Sequence, residues 1–505
     1  MGNTAINGFP ILSPGEAALL IEPGDLVGFS GFAAAGAPKL VPTAIAQRAA
    51  ERQRAGGDLK IRVLTGAHGG PTLDDVLAES DAVSWWCPYQ NAKLTRDRIN
   101  RRSIQYVDMH LSQVAQSLTA GMFGRLNCAV VEATEITPDG RVYLSTSIGI
   151  VPALLQNAEK VIIELNERQQ PRLREMMDIY TIPSVPFRKP LEICSPMDRI
   201  GTDHARVDPA RVAGVVLTSQ QDEMGDFSAI DDSSRRIAGH VLDFLMSEIH
   251  KGALPRELPP LQAGIGNLCN AVMAGFEACP EFPRFSMYTA TIQDSFVSLL
   301  EKGRVTGISG ASLSTSSAVQ QKIFENMDFF AKRIVLRPSE ISNSPEVVRR
   351  LGVIALNPAI EFDIYGNVNS THLNGTTVMN GIGGGADYAS NSSLAIFMTP
   401  SVRKDGKISS VVPMCPHIDH NEHAVHVVVT EQGLADLRGL DPRQRAMRII
   451  ENCAHPNYRD YLREYVESCH AGRIPHDLRR CFELYVNLLE RGSMLPVKAI
   501  AVKQS

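Results

Sequence analysis

Short uninterrupted apolar runs recur along the chain, separated by stretches in which apolar positions return at helical spacing. Leu26-Val27-Gly28-Phe29, Ile61-Arg62-Val63-Leu64, Cys128-Ala129-Val130-Val131 and Val161-Ile162-Ile163-Glu164-Leu165 are such runs. Runs of this length, rich in β-branched residues, predict strands covered on both faces, as in a parallel sheet. Between them, Pro42 to Arg52 places Ile45 and Ala49 four apart on one helical face. The texture returns at Arg333-Ile334-Val335-Leu336, Val353-Ile354-Ala355-Leu356 and Val427-Val428-Val429. The pattern predicts two similar open α/β domains with mostly parallel sheets, although no sequence repeat is visible. A polar stretch, Ser219 to Glu223, follows the apolar run Val215 to Thr218 and sets the expected boundary: residues 1–219 and 220–505. Near the C-terminus Cys481, Phe482, Tyr485, Leu488 and Leu489 form one apolar stripe, expected to pack into the core.

Length supports the two-domain reading, because 505 residues exceed what one hydrophobic core organises. Composition is that of a globular protein, 44% hydrophobic and 21% charged, with a net charge of -5. That balance leaves no basic footprint for nucleic acid. The densest basic stretch, Arg96, Arg98, Arg101 and Arg102, reads as a solvated helix face. Nine cysteines are scattered without the two- or four-residue spacing of zinc ligand pairs, so neither a structural metal nor a disulfide framework is expected. No leader pattern or membrane-spanning run is visible, and the expected compartment is the cytoplasm.

Chemistry-bearing positions concentrate in three glycine loops: Ser30 to Lys39, Gly264-Ile265-Gly266-Asn267-Leu268 and Asn380 to Asp387. Glycine admits close approach of a ligand to backbone, and consecutive N–H groups can hold an oxyanion. Singly, each is more often a plain turn, and none has the dinucleotide or P-loop spacing. The cluster His417-Ile418-Asp419-His420-Asn421-Glu422-His423 lies between two apolar runs, without a helical face to converge its imidazoles. It reads as a polar loop near a ligand rather than a metal site.

Taken together, Gly264 to Asn267, Ile292-Gln293-Asp294, Ile341 to Pro345, Tyr365 to Ser370, Asn380 to Asp387 and Thr430 to Gly439 resemble the acetyl-CoA hydrolase/transferase family. This is the succinyl-CoA:acetate type of class I CoA-transferase. Val83-Ser84-Trp85, Pro88-Tyr89-Gln90 and Arg349 to Leu356 look most like its propionyl-CoA:succinate members. The resemblance covers nearly the whole chain. It implies two α/β domains with the active site between them, a homodimer, no permanently bound cofactor, and short-chain acyl-CoA and carboxylic acids as substrates. It also implies that a glutamate carboxylate attacks the thioester, forms an anhydride, and then a glutamyl-CoA thioester.

The chain departs from the family at that glutamate. The run reads Tyr288-Thr289-Ala290-Thr291-Ile292-Gln293-Asp294, so Ala290 stands at the nucleophile position and Thr291 where valine is usual. Asp294 belongs to the triplet and is expected to face elsewhere; Glu301 reads as a helix-surface charge. Either a glutamate has been replaced or the chain has diverged towards acyl-CoA binding or hydrolysis. By the same resemblance, backbone at Ile265 and Gly384 stabilises the oxyanion, Asn343 partners the reacting carboxylate, and Glu431 orients Asn343. Asn380, Gly384 and Lys404 contact CoA, with Gly264, Ile265, Gly266, Asn267 and Leu268 forming the loop beneath it. The blander accounts are a turn before Pro345 for Asn343 and a solvated turn for Lys404. The missing Cβ of Gly384 is expected to admit the thioester, so a side chain there should harm catalysis and leave the fold intact.

Overall fold

The computed structural model describes residues 5–223 and 229–496. The apolar runs form two sheets, and the sheets share one plan. In the first unit seven parallel strands, Leu26–Phe29, Ile61–Leu64, Val83–Cys87, Gln105–Tyr106, Cys128–Ile136, Lys160–Asn166 and Val212–Thr218, lie side by side in the order 4-3-2-1-5-6-7. In the second, Leu261–Ala263, Phe285–Tyr288, Val305–Gly310, Ile334–Leu336, Ile354–Pro358, Leu394–Met398 and Val427–Thr430 repeat that order. Antiparallel strands supplement each: Arg141–Leu144 and Ala205–Arg206 in the first, Gly433–Asp436 in the second. Leu26–Phe29, Leu394–Met398 and Val427–Thr430 are buried along their whole length, as expected of parallel strands covered on both faces.

The two units are interlocked by backbone hydrogen bonds. Ile148 N–H donates to Ala311 O (2.9 Å), Leu313 N–H to Thr146 O (2.8 Å), and Ser339 N–H to Gly149 O (2.8 Å). Arg337, fully buried, pairs with Asp178 of the first unit and donates to Ser309 Oγ at 2.8 Å. A second buried ionic cluster joins Lys39 to Glu132 and to Asp222, the latter at 2.8 Å. Asp222 lies in the polar stretch that marked the expected boundary. It is nonetheless 3% exposed, because it satisfies Lys39 and takes Thr146 Oγ1 and Gln320 Nε2.

Two surface expectations need correction. Cys481 and Tyr485 are buried, but Phe482 and Leu489 are 39% and 79% exposed, so the C-terminal stripe packs only along one edge. Arg96 is not simply solvated, since its guanidinium crosses to the second unit and donates to Met379 O at 2.8 Å. Among the described residues no helix is long and apolar enough to cross a membrane.

Candidate active site

In an open parallel sheet ligands bind outside the carboxyl ends of the strands, where the strand order reverses. Here the reversal lies between the first and fifth strands of each unit, and the two reversal points face one cavity of about 220 Å³. Phe32 and Ala33 follow the first strand of the first unit. Gly264 and Ile265 follow the first strand of the second, and Pro358 ends its fifth. Ala33 is held at φ +52°, a conformation that costs an alanine on the order of 1 kcal/mol and concentrates at functional sites.

Ala290 is on this wall. It follows the strand Phe285–Tyr288 and is fixed there by its neighbours. Its carbonyl accepts from Ala311 N–H (2.8 Å), Thr289 N–H donates to Ser309 O (2.9 Å), and the buried Tyr288 hydroxyl donates to Ile341 O (2.5 Å). The triplet after it has structural duties. Ile292 is core, Gln293 Nε2 ties Gly264 O at 3.2 Å, and Asp294 accepts from Ser316 N–H at 2.8 Å. Glu301 is on the surface, paired with Lys322 at 3.0 Å. No aspartate, glutamate, lysine or arginine is among the described residues that line the cavity.

Of the second glycine loop, Gly264 and Ile265 reach the wall, and Ile265 N–H has no partner among the described residues. Gly266, Asn267 and Leu268 lead into the helix Asn267–Ala278 and are not part of the wall. The third loop contributes Asn380 to Gly385. It docks on the first unit: Ile382 N–H donates to both oxygens of Asp108 at 2.9 Å, and Ser112 Oγ donates to Asp387 at 2.7 Å. Gly381 has no room for a side chain, since a Cβ would lie 2.6 Å from the Tyr106 hydroxyl. Burial pushes the Asp108 carboxyl up to about 7.

The structure revises the expectations around Gly384. Its missing Cβ makes room for Asn343, whose Oδ1 would lie 2.3 Å from that Cβ, rather than for a ligand. Asn343 is fully buried behind the loop, off the cavity wall, and Nδ2 donates to Ser339 O and Ser342 Oγ, each at 3.1 Å. Glu431 is not hydrogen-bonded to Asn343; its carboxylate takes Ser401 N–H at 2.7 Å and Gln432 Nε2 at 2.9 Å. Lys404 stands at an exposed turn between Val402–Arg403 and Ile408–Ser409, off the cavity wall.

Five wall residues had no individual role in the sequence reading, His68 from the first unit and Gln262, Asn357, Ser370 and His420 from the second, although the loop carrying His420 was expected near a ligand. Only His420 and Ser370 lay within motifs that had drawn notice. The three loop histidines diverge. His417 bonds Asp419 (3.0 Å), His420 bonds Ser370 (3.2 Å), and His423 lies beside Glu422 (3.6 Å). Burial lowers both His68 and His420 from the ordinary 6.5 to about 4, because the charged ring loses its hydration. In an NMR titration both rings should therefore remain neutral until about pH 4; an inflection near 6.5 at either would mean water reaches it.

The chain has relatives along nearly its whole length. Residues 10–216 match the acetyl-CoA hydrolase/transferase N-terminal domain and residues 320–466 the C-terminal domain. The chain is 50% identical over 484 residues to the propanoyl-CoA:succinate CoA transferase of Escherichia coli, covering 96% of this chain and 98% of that protein. It is 42% identical to the succinyl-CoA:acetate CoA-transferase of Clostridium kluyveri, covering 96% and 90%. RipA from Yersinia pestis shares the fold at a TM-score of 0.69 and 20% identity, over 90% of this chain and 96% of that one. A 4-hydroxybutyrate CoA-transferase from Porphyromonas gingivalis does so at 0.62 and 20%, over 90% and 97%. With both of its domains matched and half of its residues shared with a full-length relative, the chain belongs to the acetyl-CoA hydrolase/transferase family.

Proposed function

We propose that the cavity binds the thioester end of a short-chain acyl-CoA, on a scaffold for passing CoA to a carboxylic acid, and that Ala290 leaves this form without the transfer step. The observation that carries the reading is Ala290 itself, on the wall where both sheets reverse, with no carboxylate beside it. A volume of about 220 Å³ is smaller than the ~300–1,000 Å³ of pockets for drug-sized ligands, which suits an acetyl or propionyl group. The unpartnered Ile265 N–H and the Gly384 backbone are the proposed oxyanion donors.

With glutamate at position 290, its carboxylate would attack the thioester carbonyl, and CoA thiolate would leave an acyl-glutamyl anhydride. The thiolate then attacks the glutamyl carbonyl, releasing the first acid and leaving a glutamyl-CoA thioester. The acceptor acid reverses both steps and departs as the new acyl-CoA. Asn380, on the wall, and Lys404, at the exposed turn, are the proposed contacts to the CoA arm and its phosphates. Asn343 acts in this reading through Gly384, against which it packs, and a role for Glu431 would run through Ser401. The family resemblance also proposes a cytoplasmic homodimer, checked by light scattering of the purified chain.

Calorimetry tests the binding reading. The chain as written should bind CoA and acetyl-CoA, because no wall residue depends on a carboxylate at 290. No heat at millimolar ligand would mean the cavity serves another purpose. Incubation with acyl-CoA and isotopically labelled acetate or succinate should yield no labelled acyl-CoA.

A further inference from the structure

We propose that Ser370 and His420 form a nucleophile–base pair that hydrolyses the bound thioester in the chain carrying Ala290. The inference rests on the cavity being an acyl-CoA site, and assigns residues by which hydrolysis proceeds without a glutamate. Both side chains are on the cavity wall, and Ser370 Oγ lies 3.2 Å from His420 Nε2. The serine is half-buried on that wall, while the histidine is 3% exposed.

The pair is built, not incidental. Ser370 is fixed at both ends of its backbone, its N–H donating to Asp419 Oδ2 (2.6 Å) and its carbonyl accepting from Asn380 Nδ2 (3.2 Å). The Thr371 hydroxyl lies 2.8 Å from Asp419 Oδ1 and 2.9 Å from Oδ2, and Oδ1 also faces His417 at 3.0 Å. Ser370 Oγ lies within reach of both Asp419 Oδ2 (3.3 Å) and His420 Nε2 (3.2 Å), and in the tautomer with the ring proton on Nδ1 the Nε2 lone pair accepts the serine proton. The backbone of His420 is held by two bonds to Val368, and its imidazole packs on Phe397, 4.6 Å away between ring centroids. Its Nδ1 is buried without a partner among the described residues. Gly385 runs alongside, where a Cβ would stand 3.7 Å from the ring, and its N–H is likewise unpartnered. A nucleophile, a base and a free backbone donor thus meet on one wall, the arrangement acyl transfer needs. No carboxylate holds Nδ1, so the pair lacks the third member of a triad and should turn over slowly.

The chemistry closes with water alone. Ser370 Oγ attacks the thioester carbonyl carbon as its proton passes to His420 Nε2. The C–S bond breaks, and CoA thiolate takes that proton and leaves as the thiol. Water, deprotonated by Nε2, attacks the acyl-serine; the ester C–O bond breaks, the proton returns to Oγ, and the acid departs. The net reaction is acyl-CoA plus water to acid plus CoA. A seryl group cannot hold CoA as a thioester, so this route hydrolyses and does not transfer.

The test uses the full chain with propionyl-CoA, following thiol release and the mass of acid-quenched protein, with calorimetry of CoA on every variant. Thiol release should be slow and independent of added acetate or succinate. It should fall about 10²-fold or more in Ser370→Ala and in His420→Gln, with CoA binding retained. Ser370→Cys, nearly isosteric, should accumulate an acyl adduct on the peptide containing residue 370. Undiminished release in Ser370→Ala, or no release from a parent chain that binds CoA, would overturn the pair and leave the binding reading standing. A parent chain that binds no CoA would overturn both.

Discussion

Ala290→Glu should switch on CoA transfer by several orders of magnitude. The residue sits on the cavity wall on a backbone fixed by Ala311, Ser309 and the Tyr288 hydroxyl, so a longer side chain there is aimed from a rigid base. Free wall N–H groups and the glycine loops are in place, and what is missing is the one group able to form an anhydride. In serine proteases, loss of a single covalent nucleophile costs about 10⁶-fold, and restoring one to an assembled site should recover a comparable factor. Two features temper the gain. No described lysine or arginine lines the cavity, so the new carboxylate must be held by N–H donors, and burial will raise its pKa. Thr291, buried on the cavity wall and paired with Ser312, stands where the family's usual residue is the apolar valine. The readout is specific to the covalent step. Acyl-CoA with borohydride should inactivate Ala290→Glu by reducing its glutamyl thioester and leave the Ala290 chain unchanged. A variant that binds CoA yet neither transfers it nor forms that thioester would show that the nucleophile belongs elsewhere.

The architecture was legible because parallel strands must be apolar on both faces, which writes them as uninterrupted runs. Their lateral order was not, because neighbours such as Leu26–Phe29 and Cys128–Ile136 are about a hundred residues apart and carry no pairing code. The shared 4-3-2-1-5-6-7 order is therefore a repeat of topology without a repeat of sequence. The same limit governs the buried ions. Lys39, Glu132 and Asp222 read individually as loop, strand and linker residues, and only the fold brings them together.

Within the site, motifs located the loops but not what each residue touches. Gln293 looked like part of a signature and proves to tie one glycine loop to the strand end beneath Ala290. The expected link from Glu431 to Asn343 fails because Ser401 offers the carboxylate two donors at its own strand end. His420 was placed on a polar loop near a ligand. Its partner Ser370, fifty residues earlier, could not be inferred from spacing.

Gly384→Val should cost both stability and, in the glutamate-bearing form, transfer. The backbone at Gly384 has φ -88°, open to any residue, so the penalty is steric rather than conformational. A Cβ would lie 2.3 Å from Asn343 Oδ1, and that amide cannot swing aside without giving up its bonds to Ser339 and Ser342 in a fully buried site. The loop cannot retreat freely either, since Asp108 holds Ile382 and a Cβ at Gly381 would already meet Tyr106 and Tyr89. Overpacking of this kind costs about 1–3 kcal/mol, and the shift it forces passes directly to the N–H groups of residues 383–385 on the wall. A double-mutant cycle separates this contact from a general loss of glycine. Gly384→Ala should lower the melting temperature in the parent chain and lower it much less in an Asn343→Ala background, where the space is vacant. Equal penalties in the two backgrounds would mean that Gly384 is kept for the ligand and not for Asn343.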